Sequence, residues 1–197
     1  GGGVGIVYHG TLESGAPDWW VRADADRGKW IGFDDYARAV VPLLKPLGLK
    51  ILLEPGRSLV GNAGALLASV LYVKKTPAKN FVITDAGMND LIRPALYEGH
   101  HEIVPLQEPP AGAPHGPVDV VGPVCESGDF FAQDRELPEV QAGEKIALLS
   151  AGAYGFVMAS NYNSRRLPAE ILVDGGHSEV VRARQSWDDL VAGERVP

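Results

Sequence analysis

The apolar residues of this chain change their spacing near Gly61, and that change limits the folds open to it. Before Gly61, the residues Phe33, Tyr36, Ala37, Val40, Val41 and Leu44 recur at helical spacing. They predict a helix over 33–47, ended by Pro46 and Gly48. The short apolar run 50–53 is predicted as a buried strand, and it leads straight into Glu54-Pro55-Gly56-Arg57. Helix, tight turn, short strand and polar loop is the cadence of a β/α barrel, where chemistry sits on the loops after the strands. Past Gly61 the apolar runs shorten and fall at 65–75, 81–84, 118–121, 145–150 and 169–173, between Pro and Gly clusters. These predict the strands of an all-β domain. Within it, 153–161 is predicted as a short helix and 105–117 as an exposed loop. The expected division is residues 1–60 and residues 61–197.

The chain has 197 residues and a formal net charge of -7, an acidic balance that argues against nucleic acid or anionic membrane as a main partner. Its one cysteine cannot form an internal disulfide. No apolar run is long enough to span a bilayer as a helix, and no signal-peptide pattern occurs, so a soluble cytoplasmic protein is expected. The chain opens on Gly1-Gly2-Gly3-Val4-Gly5 with no preceding strand to aim the glycines, which suggests the C-terminal piece of a longer protein.

Several short motifs are candidates for chemistry. The glycines of the opening turn let backbone N–H groups approach a phosphate, although a flexible loop has the same composition. Glu54, Pro55, Gly56 and Arg57 place an acid and a base at a strand end, able to hold opposite ends of one ligand or merely each other. Arg93 and Tyr97 are four apart and align only if that stretch is helical, with Pro94 at its start. An Arg–Tyr pair suits a carboxylate. His100 and His101 invite a metal, but adjacent side chains point apart on a strand and no further ligand stands at metal spacing. In 121–129 the lone Cys125 precedes Glu126, Ser127, Gly128 and Asp129, a polar, turn-rich setting that fits a reagent as well as a structural thiol. Tyr154 sits between small residues in 150–155, either a handle for a phosphate or a ring packed over glycine.

Taken in order and spacing, the motifs at Gly1–Gly5, Glu54–Arg57, Asp85–Tyr97, Val121–Asp129 and Ser150–Asn163 resemble the diaminopimelate decarboxylase family. That family is similar to ornithine and arginine decarboxylases, all fold-type III enzymes dependent on pyridoxal 5'-phosphate. The resemblance implies the closing part of a TIM (β/α)8 barrel over 1–60. After it would come a C-terminal β-sandwich or β-barrel domain of the alanine racemase-like kind over 61–197. It implies that Gly2 and Gly3 cradle the cofactor phosphate, completed by Pro55, Gly56 and Arg57, with Glu54 on the pyridine nitrogen. It implies that Arg57, Arg93, Tyr97, Glu126 and Tyr154 bind the substrate, Tyr154 touching the cofactor too. Cys125 would return a proton to the carbon that loses CO2. The implied substrate is meso-diaminopimelate and the implied product L-lysine. The implied assembly is a homodimer in which Cys125 and Glu126 serve the partner's site. Glutamate after the cysteine favours diaminopimelate, since the ornithine enzymes carry Asp there. The family's Schiff-base lysine has no counterpart here, so the isolated chain is expected to be inactive. A decarboxylase of another basic amino acid or carboxylated polyamine, and a non-catalytic partner of an intact enzyme, are the rival expectations.

Overall fold

A computed structural model describes residues 3–9 and 31–195. Among the described residues there are eight strands: β1 (Leu66–Lys75), β2 (Asn80–Thr84), β3 (Ile103–Pro105), β4 (His115–Val121), β5 (Phe130–Pro138), β6 (Lys145–Leu148), β7 (Glu170–Asp174) and β8 (His177–Arg182). The helices are α1 (Phe33–Leu44), α2 (Gly56–Val60), α3 (Arg93–Tyr97) and α4 (Trp187–Leu190), with short 3-10 turns between elements.

Six strands make one sheet in the order β3-β6-β1-β2-β4-β5. All pairings are antiparallel except β2 with β4. Alternation builds its inner face: Val82 and Thr84 of β2 are buried while their neighbours are not. On β1, Ala68 and Val70 point inward, and an irregularity in register between Val70 and Tyr72 then turns Tyr72 outward. Val70, Val82, Val120, Phe131, Ile146 and Leu148 close around the core. The edge strands approach each other as well. Arg135 of β5 donates from Nη1 to the carbonyl of His101, two residues before β3, at 2.9 Å. The sheet therefore curls into a nearly closed barrel, which shields the two edges that an open sheet would expose. A separate hairpin pairs β7 with β8.

The expected strands at 65–75, 81–84, 118–121, 145–150 and 169–173 correspond to β1, β2, β4, β6 and β7. Three strands were not anticipated. β3 is only three residues long and ends in Pro105, β5 carries the polar run Gln133–Glu136, and β8 is exposed throughout. The expected helix at 153–161 shrinks to one 3-10 turn at Phe156–Met158. The expected loop over 105–117 yields its last residues to β4.

The first part of the chain departs further from expectation. α1 forms, and Gly48 at φ 63° ends the 3-10 turn that follows it. Residues 50–53 do not form the predicted strand: a strand exists only in a ladder, and no partner lies beside this run among the described residues. Leu52 is 72 % exposed and α1 buries none of its residues. The barrel architecture expected over 1–60 is therefore not formed among the described residues.

Candidate active site

The glycine segment is held on the sheet domain by a polar clasp. Asn62 donates from Nδ2 to the Val7 carbonyl (2.6 Å) and accepts on Oδ1 from the Val7 amide (3.2 Å). Ser150 donates to the same carbonyl at 2.8 Å. Arg57, at the start of α2, reaches the Val4 carbonyl with Nη2 at 3.3 Å. The two halves of the expected phosphate site, Gly3 and Gly56-Arg57, are thus neighbours in space. Gly3 has φ 93° and open space where a side chain would stand, so its backbone faces outward without obstruction. Gly2 lies outside the described residues. Glu54 is exposed and Pro55 half-buried, just ahead of α2.

Tyr154 belongs to the same corner. Gly152 packs its backbone so tightly on α2 that a Cβ there would lie 1.9 Å from the Val60 carbonyl oxygen. The chain then turns out, with Tyr154 at φ 61° and its ring partly exposed. A non-glycine residue in that region is strained, and such strain concentrates at functional sites.

Arg93 and Tyr97 do share a helical turn, α3, opened by Pro94 and closed by Glu98 at φ 53°. The Arg93 guanidinium has two supports. It lies 4.5 Å from the Tyr8 ring centroid, and its Nη1 stands 2.9 Å from His101 Nε2. Sequence reasoning did not give His101 this role. His101 is fully buried, and its Nδ1 lies 2.7 Å from the Leu149 carbonyl. A carbonyl only accepts, so Nδ1 carries the proton and Nε2 is free to accept from Arg93. Burial, aided by the charges of Arg93 and Arg135 and by His100, pushes His101 down to about 4. His100 points elsewhere: it stacks on His9 at 3.8 Å and meets Arg135 Nη2 at 3.0 Å. No group of metal-binding side chains forms among the described residues.

The depressed His101 makes a prediction. Its contribution to stability is complete above its ordinary value of 6.5 and is lost as pH falls from there to about 4. The expected loss over that window is about 3 kcal/mol, measured by denaturant melts at several pH values. His101→Asn, which does not titrate, should flatten this dependence; an equal pH dependence in the variant would remove the assignment.

Cys125 is exposed on the loop between β4 and β5. Asp129, 4 % exposed, organises that loop from beneath. Its carboxylate accepts from the Val124 amide and, across the chain, from the Met88 amide, both at 2.6 Å. Gly122 must be glycine here, since a Cβ would stand 2.4 Å from both carboxylate oxygens. Glu126 is held below its ordinary value by the Gly128 amide first, then by the Ser127 and Tyr162 hydroxyls. Tyr162 donates to Glu126 Oε2 at 3.3 Å, and its phenol is pushed up chiefly by the Glu126 charge. α3 stands between the two corners. Ala95 abuts Gly128 of the Cys125 loop, while Arg93 covers Tyr8 of the glycine segment. Tyr97, 62 % exposed, is free to meet a ligand. His101, Asp129 and Tyr162 are the contributors that the motifs alone did not identify. Asp129 was visible only as one of the polar residues after Cys125, and His101 only as a doubtful metal ligand.

Comparison with known proteins fits this arrangement. The family described as pyridoxal-dependent decarboxylase, C-terminal sheet domain, matches residues 6–152. Diaminopimelate decarboxylase of Aquifex aeolicus is 44% identical over 191 residues, covering 97% of this chain and 41% of that protein. The enzyme of the same name from Neisseria meningitidis serogroup A is 46% identical over 194 residues, covering 98% of this chain and 43% of its own. The crystal structure of diaminopimelate decarboxylase from Helicobacter pylori complexed with L-lysine superposes with a TM-score of 0.80 at 41% identity, over 96% of this chain and 42% of that one. The chain thus spans about two fifths of the length of the curated relatives it matches.

Proposed function

This chain belongs to the pyridoxal-dependent decarboxylase family through its C-terminal sheet domain, and from that premise we propose that it serves a decarboxylase converting meso-diaminopimelate to L-lysine and CO2. One observation carries the reading. A carboxylate held ionised, Glu126, stands beside an exposed thiol, Cys125, while a guanidinium fixed by His101 lies across α3. A substrate whose far end is itself an amino-acid head presents one carboxylate and one ammonium, and Arg93 with Tyr97 and Glu126 match that pair by charge. A diamine precursor such as ornithine leaves Arg93 without a counter-ion.

Pyridoxal 5'-phosphate fits the residues present. The outward-facing Gly3 backbone, the unobstructed Gly56 and the Arg57 guanidinium form a donor set suited to a phosphate, and the Glu54 carboxylate suits a protonated ring nitrogen. The cofactor, when bound, withdraws electrons from the carbon that gives up its carboxylate. This chain's residues have separate roles around it. Gly2, Gly3, Pro55, Gly56 and Arg57 hold the phosphate, Glu54 keeps the ring protonated, and Tyr154 contacts cofactor and substrate. Arg57, Arg93 and Tyr97 orient the substrate, and Glu126 takes its distal ammonium. The Cys125 thiol hands its proton to the carbon left by CO2.

Residues 1–60 form, in this reading, the closing part of the β/α barrel, and 61–197 the sheet domain with the proton donor. The exposed apolar residues Phe33, Val41, Leu43, Leu49, Leu52 and Leu53 support it, because so many bare apolar side chains suit packing inside a larger barrel. The enzyme is a cytoplasmic homodimer, with Cys125 and Glu126 reaching the partner's cofactor. No lysine among the described residues matches the family's Schiff-base motif, and we expect the isolated chain to be inactive. The test is the purified full-length protein, supplied with pyridoxal phosphate and offered meso-diaminopimelate or L-ornithine in turn. We expect CO2 and L-lysine from the first, favoured over ornithine by at least about 100-fold. No lysine, or comparable turnover of ornithine, would contradict the proposal.

A further inference from the structure

We infer that Tyr162 is a specificity-determining positioning residue: its phenol aims the Glu126 carboxylate at the substrate's distal ammonium. The inference rests on the function proposed above and adds Tyr162, which that reading leaves without a role.

The turn carrying Tyr162 is unusual in its backbone. Asn163 and Ser164 have φ 56° and 55°, two consecutive non-glycine residues in the left-handed region. Such a conformation persists only where surrounding contacts fix it. Those contacts are on hand. The Ser160 amide donates to the Asn89 carbonyl at 2.9 Å, and Arg165 Nε donates to Asn89 Oδ1 at 2.8 Å. Asn161 Nδ2 donates to the Arg165 carbonyl at 2.8 Å, closing the turn on itself. Asn89 is 2 % exposed and immediately follows Met88, whose amide anchors Asp129. The Tyr162 turn and the Cys125–Glu126 loop therefore hang from adjacent residues of one buried segment, which fixes their separation.

Tyr162 is 46% exposed, so its ring is not there to fill the core. Its hydroxyl meets Glu126 Oε2 at 3.3 Å, whereas Ser127 and Gly128 both bond Oε1. The two oxygens are thus held from opposite sides, and removal of the phenol leaves the carboxylate tethered by one oxygen only. A proton on Tyr162 also serves the charge state that an ammonium requires, since the neutral phenol donates to an ionised carboxylate.

The test is Tyr162→Phe in the full-length, cofactor-loaded protein, which keeps the ring and removes the hydroxyl. KM for meso-diaminopimelate should rise roughly three- to tenfold with kcat nearly unchanged. With 2-aminopimelate, which lacks the distal amine, KM should not change. Independently of activity, the Glu126 carboxyl, followed by NMR titration, should move up in the variant. Equal KM for wild type and variant on diaminopimelate, a rise shared by both substrates, or an unmoved Glu126 would each overturn the inference. A wild-type protein inactive on diaminopimelate would instead overturn the proposed function, and the Glu126 titration would still decide whether Tyr162 positions it.

Discussion

Cys125→Ala in the full-length protein is expected to lower turnover of meso-diaminopimelate about 10²- to 10⁴-fold, the usual contribution of a placed general acid. The thiol is exposed. The loop that presents it is fixed by backbone and by Asp129 rather than by the cysteine: Glu126 N meets the Val124 carbonyl at 2.8 Å and Asp129 N the Glu126 carbonyl at 3.1 Å. The substitution therefore removes a proton donor and little else. Melting temperature and pyridoxal phosphate binding should match the wild type, while steady-state kcat falls. Unchanged turnover would refute the donor role, and a large loss of stability would mean that the loop depends on the thiol after all.

Asp129→Ala is expected to be the most damaging single change to the fold of the site. Two amides, Met88 and Val124, each lose a charge-assisted bond of 2.6 Å, and they belong to different segments. At about 1.5–3 kcal/mol for each bond to a charged group, the loss is roughly 3–6 kcal/mol, a large fraction of a typical domain's stability. Asp129→Asn keeps the shape and one acceptor oxygen, so about half of that loss should return. Denaturant unfolding of the three proteins measures it. Equal midpoints for wild type and Asp129→Ala would show that the two loops are held by something else. The same variant should lower turnover even where it stays folded, because the Cys125 loop and the Asn89 segment would no longer share an anchor.

Many strands were legible because they hold apolar runs set between Pro and Gly clusters: β1, β2, β4, β6 and β7 all follow that grammar. β5 was not, since Asp134 adopts φ 48° in a strand whose pairing with β4 is irregular, and the charged residues there break alternation. The run at 50–53 read as a strand from its composition, but a ladder needs a neighbour, and composition does not supply one. Near the site, residues with intrinsic chemistry stood out: Cys125, Glu126, Arg93 and Arg57 are reactive or charged. The residues that hold them did not. His101 acts through a tautomer fixed by the Leu149 carbonyl, 48 positions away, and Tyr162 meets Glu126 across 36 positions. Contacts of that reach depend on how the sheet closes, which no local pattern records.

In the proposed assembly each site is completed by two subunits, and mixed dimers report on this. Full-length protein bearing Arg57→Ala, which damages the cofactor corner, and full-length protein bearing Cys125→Ala are each expected to be nearly inactive. Unfolded and refolded together in equal amounts, they should recover about a quarter of wild-type activity, because half of the dimers then hold one intact site out of two. No recovery above the sum of the two variants, with mixed dimers confirmed by native mass spectrometry, would contradict the account and place Cys125 and Arg57 of one chain in the same site.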